Sequence, residues 1–153
     1  EKEAISRRFC REDVENFRLA GGLPALLDRL KAAGVPMAIA TGARRSNMDF
    51  YMEAFGLERW FDWDHIIYDD GTLPGKPAPD AYLRACARLG VAPRDCMVVE
   101  DSFAGIESAN AAGVGGIIAI TATNSRQELA TLPGVRAVID DYCHFSESFA
   151  PVA

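Results

Sequence analysis

No apolar run in the sequence approaches the roughly 20 residues a bilayer-spanning helix requires, which excludes a helical membrane anchor within it. Basic charge is scarce as well. Asp and Glu outnumber Lys and Arg by 22 to 16, giving a net charge of −6, and the basic residues are scattered, so a nucleic-acid backbone would be repelled on average. The cysteines, Cys10, Cys86, Cys96 and Cys143, contain no CxxC pair and stand too irregularly for a disulfide framework. Free thiols in a reducing cytoplasm are the expectation. There are only two histidines, His65 and His144. Cys143 and His144 are adjacent and therefore point apart, with no further ligands nearby, so neither a zinc site nor a thiol–imidazole dyad is expected there. No internal repeat or low-complexity stretch is present. The chain opens at Glu1 with no methionine and no signal peptide, which suggests a processed or truncated product.

What is present is alternation. The length suits one domain, and segments with apolar residues at helical spacing alternate with short apolar runs. Leu23, Leu26, Leu27 and Leu30 make the first helical stripe, capped by Gly34, and Val35 to Ala40 reads as a buried strand. Met48, Tyr51, Met52 and Phe55 repeat the helical pattern up to Gly56, before a short strand at His65 to Tyr68. Tyr82, Ala85, Cys86 and Leu89 form a third helix closed by Gly90, after which Cys96 to Val99 runs into the acidic pair Glu100 and Asp101. A helix of small residues at about Ala104 to Ala112 precedes a strand at Gly116 to Ile120. Ser125 and Glu128 form a capping-box signal for a short helix ending before Pro133, and Val135 to Ile139 reads as an edge strand. Such alternation predicts an α/β fold, a parallel sheet with helices on both faces, whose ligands bind beyond the carboxyl ends of the strands.

Three groups of residues fall at those ends. Thr41-Gly42-Ala43 offers a hydroxyl and small residues that let backbone N–H groups approach a phosphoryl group; by itself this is also an ordinary turn. In Gly75-Lys76-Pro77-Ala78-Pro79-Asp80, proline stiffens the backbone that projects the Lys76 ammonium, which can neutralise phosphate or an anionic nucleophile. Glu100 and Asp101 close an apolar strand, where adjacent carboxylates repel unless a cation or water compensates them. Mg²⁺ suits such a pair, since it prefers oxygen and needs only one or two carboxylates beside water and phosphate. The competing reading of the pair is a helix N-terminus carrying acids to match its dipole.

Ile39-Ala40-Thr41-Gly42-Ala43, Gly75-Lys76-Pro77-Ala78-Pro79-Asp80 and Val98-Val99-Glu100-Asp101-Ser102-Phe103-Ala104-Gly105-Ile106, continuing to Ala111-Ala112-Gly113, resemble the second, third and fourth motifs of haloacid dehalogenase-like hydrolases. The likeness covers about residues 20 to 122 and is closest to the branch containing β-phosphoglucomutase and phosphoglycolate phosphatase. It implies a Rossmann-like core in which Thr41, Gly42 and Ala43 bind the phosphoryl group, Lys76 orients nucleophile and phosphate, and Glu100 with Asp101 hold Mg²⁺. Thr41 and Lys76 would be the catalytic residues. The acidic pair favours phosphoryl transfer over carbon–halogen cleavage, because the family's dehalogenases do not keep such a pair.

The family's first motif, Asp-x-Asp on an N-terminal strand, is absent. Tyr68-Asp69-Asp70-Gly71-Thr72 imitates its tail, but Tyr68 stands where the nucleophile should be, and the segment reads as a turn. In the family the missing strand lies between the strands ending at Thr41 and Glu100, so two central edges should be open and the chain poorly stable alone. The expected organisation is a remnant of a helical cap at residues 1–19 and the α/β core at 20–153, with the N-terminal strand and most of the cap missing. The expected function is a Mg²⁺-dependent phosphatase or phosphotransferase for a small phosphorylated metabolite, working through an aspartyl-phosphate and inactive as this fragment. The alternatives are a non-catalytic module that binds a phospho-ligand or a partner, and a phosphoacceptor signalling domain, in which GKPAPD would have no natural place.

Overall fold

The structure, a computed structural model, describes residues 17–145. The expected cap remnant lies almost wholly outside the described residues, as does Cys10. The elements run α1 (Leu23–Ala32), β1 (Ile39–Arg44), α2 (Arg45–Phe55), β2 (Ile66–Asp69), α3 (Asp80–Leu89), β3 (Met97–Glu100), α4 (Phe103–Ala111), β4 (Gly116–Ile120), α5 (Arg126–Ala130) and β5 (Val135–Ile139). Short 3₁₀ turns at Leu57–Arg59, Trp63–His65 and Pro93–Asp95 lead into the strands.

Every strand pairing is parallel, yet the strands form two sheets: β1 with β2, and β3, β4 and β5 in that order. Helices flank both. Among the described residues no strand pairs with the free edge of β1 or of β3, and these are the two edges expected to stand open. Two hydrophobic clusters match the two sheets. Leu27, Met48, Met52, Leu57, Trp60, Phe61 and Ile66 fill the first; Val98, Ile106, Ala109, Ile117, Ala119 and Leu129, with Tyr82, fill the second. β4 is covered on both faces, Ile117, Ile118 and Ala119 being almost wholly buried, which is why it reads as an unbroken apolar run. The α3 helix packs against β1, β2 and α4 and so joins the halves. Ser108 on α4, fully buried, strengthens the joint by donating to the Ala78 carbonyl at 2.6 Å.

The first strand begins later than the apolar run Val35 to Ala40 suggests. Gly34, at φ 72°, donates to the Lys31 carbonyl, and Val35 donates to the Leu30 carbonyl at 3.0 Å, the paired bonds of a left-handed helix stop. The Val35 N–H is therefore taken by the helix end and Pro36 has none to offer. Val35 stays exposed and pairing starts at Ile39, opposite Ile66. Thr41-Gly42-Ala43 accordingly lies inside β1, in an irregular stretch between Ala40 and Arg44, rather than after it. The other strands and helices fall within a residue or two of expectation, apart from the earlier start of α2. The capping box of α5 is complete: Ser125 Oγ accepts from the Glu128 N–H, and the Glu128 carboxylate accepts from the Ser125 N–H.

Candidate functional site

A cleft of about 520 Å³ opens where the C-terminal ends of β1 and β3 come together, lined by Thr41, Gly42, Lys76, Glu100, Asp101 and Tyr142 among others. The three expected motifs therefore meet in one place.

Glu100 anchors the cleft. The last residue of β3, it is buried, and its carboxylate is surrounded by donors. Oε1 is ion-paired with Lys76 Nζ and accepts from the Tyr82 hydroxyl at 2.8 Å. Oε2 accepts from the Asp101 N–H at 3.0 Å, the Ser102 N–H at 3.2 Å and the Ser102 hydroxyl at 3.0 Å. Burial alone would raise the Glu100 carboxyl, but Lys76, through hydrogen bond and charge, aided by Tyr82 and Ser102, holds it below the ordinary range. Both oxygens of Glu100, which was expected to hold Mg²⁺ with Asp101, thus accept from protein donors and engage it in the network around Lys76. The Tyr82 hydroxyl is pushed well above its usual range, by burial first and the Glu100 charge second, so it stays a donor.

Lys76 is positioned by the same network. Besides Glu100 it donates to the Tyr82 oxygen at 3.1 Å and to the Ala40 carbonyl at 3.3 Å, and its ammonium lies 4.8 Å from the Tyr82 ring centroid. It thus bridges the end of one sheet to the end of the other. Thr41 Oγ1 accepts from the Ala43 N–H at 3.1 Å, which leaves the hydroxyl proton free to donate into the cleft. The same bond removes the Ala43 N–H from the set available to a phosphoryl group. A side chain at Gly42 would meet nothing within 4 Å, so the site is open there.

Asp101 differs from its neighbour. It is partly exposed and held by the loop after β4, and among the described residues one carboxylate oxygen accepts a side-chain hydrogen bond, from Thr123. No group of three or more potential metal ligands occurs among the described residues. The donor chemistry nevertheless fits Mg²⁺: a carboxylate oxygen facing the cleft is part of the ligand set this ion accepts beside water and phosphate.

Three participants received no role from the sequence, although Ser102 and Gly105 lie in a motif quoted above. Tyr82 appeared only as part of a helical stripe. Ser102 both caps α4, accepting from the Gly105 N–H at 3.1 Å, and donates to Glu100. At Gly105 a Cβ would overlap the Glu100 carboxyl, so glycine admits the buried acid. Of the three, Ser102 alone carried a recognisable signal, as a cap before a helix.

Other charged and thiol groups near the strand ends are placed in bland settings. Asp69 and Asp70 accept from the Gly71 and Thr72 N–H groups, and Gly71 has φ 78°, which makes the segment a turn. Arg44 faces Asp69 at 4.0 Å, and Arg45 bonds Asp49 at 2.9 Å while lying 3.7 Å from the Trp63 ring centroid. Cys143 is exposed and unbridged. Cys86 and Cys96 are also free thiols, with Sγ atoms 3.5 Å apart.

The family model for haloacid dehalogenase-like hydrolases matches residues 4–113. The chain belongs to that family. It is 43% identical over 97 residues to protein CbbY of Rhodobacter capsulatus, covering 63% of this chain and 43% of that protein. It is 37% identical over 82 residues to the fructose-1-phosphate phosphatase YqaB of Escherichia coli, covering 54% of this chain and 43% of the relative. A crystal structure of a family IA, variant 3 hydrolase from Entamoeba histolytica superposes with a TM-score of 0.90 at 35% identity, over 96% of this chain and 65% of that one. The chain thus spans less than half the length of these two curated relatives, which include a phosphatase for a small phosphorylated metabolite.

Proposed function

We propose that the protein containing this chain is a Mg²⁺-dependent phosphatase or phosphotransferase acting on a small phosphorylated metabolite. The observation that carries the reading is the division between the two acids at the end of β3. Glu100 is saturated by Lys76, Tyr82 and Ser102, whereas Asp101 keeps a carboxylate oxygen for a cation beside Lys76 and Thr41 on one cleft. Site residues shared by two sheets, at the carboxyl ends of parallel strands, suit a phosphoryl group held between them.

In this reading Thr41 donates its hydroxyl to a phosphoryl oxygen. Lys76 supplies positive charge to the phosphoryl oxygens and to the attacking carboxylate, and Glu100 and Tyr82 keep its ammonium in place. Asp101 would hold Mg²⁺, which when bound neutralises charge on the transferring group. The nucleophile would be an aspartate outside residues 17–145, presented on a strand between β1 and β3, and transfer would pass through its acyl phosphate. Residues 20–153 would be the catalytic core and residues 1–19 the end of a cap. By itself the chain would be inactive. The fructose-1-phosphate phosphatase relative makes sugar and polyol monophosphates the first substrates to assay.

The test is phosphate release from a panel of such monophosphates by the full-length protein, with and without Mg²⁺. Release that requires Mg²⁺ and disappears in Asp101→Asn supports the reading. Turnover near the parent's in that variant overturns the role of Asp101, and the absence of release from every monophosphate overturns the reaction class.

A further inference from the structure

The loop following β4 turns back across the end of β3 and grips one residue. Thr123 Oγ1 lies 3.2 Å from both the carbonyl oxygen and Oδ2 of Asp101. Asn124 Nδ2 lies 2.8 Å from the same carbonyl and 3.1 Å from Thr123 Oγ1. Counting protons assigns the network. The Asn124 amide has two hydrogens, one for the Asp101 carbonyl and one for Thr123 Oγ1. With that carbonyl supplied and its own oxygen already accepting, the Thr123 hydroxyl directs its single proton at Asp101 Oδ2. Oδ1 then accepts from no side-chain or backbone donor among the described residues.

The two contacts restrain different parts of the residue: the bond to the carbonyl fixes its backbone, and the bond to Oδ2 fixes the rotation of the carboxylate. We propose that Thr123 and Asn124 are positioning residues that hold Asp101 with Oδ1 ready for Mg²⁺. This rests on the reading of Asp101 as the metal-holding acid. Neither residue belongs to the motifs around Thr41, Lys76 and Glu100, and both come from the loop after β4. Groups that orient a carboxylate ligand raise metal affinity by limiting the conformations lost on binding, and their removal typically weakens binding by about 10–100-fold.

A merely structural role for the loop would lower stability and leave metal affinity alone, so both are measured. The full-length protein and its Asp101→Asn, Thr123→Val, Thr123→Ser and Asn124→Ala variants are titrated calorimetrically with MgCl₂ alone, and each is unfolded in urea. The parent should bind Mg²⁺ and Asp101→Asn should not. Thr123→Val, which keeps the shape and removes the proton, and Asn124→Ala should bind about 10–100-fold more weakly while remaining folded. Thr123→Ser should bind within about threefold of the parent, short of the about 10–100-fold loss. Affinities of Thr123→Val and Asn124→Ala equal to the parent's, with Asp101→Asn inactive toward Mg²⁺, overturn the inference and leave the role of Asp101 standing. Losses in those two variants that match their unfolded fractions overturn it in the same way. Failure of the parent to bind, or binding by Asp101→Asn as by the parent, overturns the role of Asp101 and the inference with it.

Discussion

The Glu100 carboxyl occupies the space that a side chain at Gly105 would need. A strand-end acid and a glycine in the first turn of α4 are thus one structural unit, tied further by Ser102, which accepts from the Gly105 N–H and donates to Glu100. Gly→Ala ordinarily stabilises a helix interior by about 0.5–1 kcal/mol, an upper bound for Gly105 in the first turn. Here the added methyl must displace a buried, ion-paired carboxylate, and overpacking of this kind costs about 1–3 kcal/mol. The variant is expected to be less stable than the parent in urea unfolding and to lose phosphate release.

Lys76 and Glu100 form a largely buried pair, their side chains 20% and 7% exposed. Removing one partner leaves the other charge without compensation. Lys76→Met is therefore expected to destabilise by about 3 kcal/mol. The double variant Lys76→Met/Glu100→Gln should recover a substantial part, since no charge is then stranded. Urea unfolding of both variants and of Glu100→Gln completes the cycle, and a loss in the double variant equal to the sum of the two single losses would mean the two residues are not coupled.

Tyr82→Phe removes one hydroxyl, which donates to Glu100 Oε1 and accepts from Lys76 at 3.1 Å. The ring remains to fill the core, while Glu100 Oε1 loses the hydroxyl at 2.8 Å and retains Lys76. A hydrogen bond to a charged acceptor contributes about 1.5–3 kcal/mol, so a loss near the low end is expected, read as a lower urea midpoint with an unchanged slope.

Thiol chemistry gives a check on the packing between α3 and β3. Burial, with Cys86 alongside, pushes the Cys96 thiol up to about 12, which leaves roughly one molecule in ten thousand as thiolate at pH 8. Cys86 is buried, whereas Cys143 is exposed. Iodoacetamide at pH 8 should label Cys143 well before Cys86 or Cys96, as followed by peptide mass. Early labelling of Cys86 would indicate that α3 opens from the sheet.

Much of this architecture is legible in the sequence because its signals are local. The stops at Gly56 and Gly90, with φ of 59° and 68°, and the capping box of Ser125 and Glu128 are determined within a few residues. The start of β1 was less legible, since the Val35 N–H could belong to a helix stop or to a strand and only the hydrogen bond to Leu30 decides. The site residues Thr41, Lys76, Glu100 and Asp101 stood out by motif, and the structure brings them to one cleft. What sequence could not reveal was the different condition of the two adjacent acids. That depends on Tyr82 and Gly105 reaching Glu100 from two helices, and on Thr123 reaching Asp101 from the loop beyond β4, relationships that arise only when separate elements pack together.

The central claim is that Glu100 holds Lys76 while Asp101 holds the metal. The most direct test is the Mg²⁺ concentration needed for half-maximal phosphate release in the full-length protein, compared across the parent, Glu100→Asp and Asp101→Glu. Each variant keeps its charge and moves the carboxylate by one methylene. The account predicts that Asp101→Glu raises the Mg²⁺ requirement at least about tenfold, while Glu100→Asp lowers the maximal rate with the requirement changed much less. Equal shifts in the requirement, or a larger one in Glu100→Asp, would contradict it.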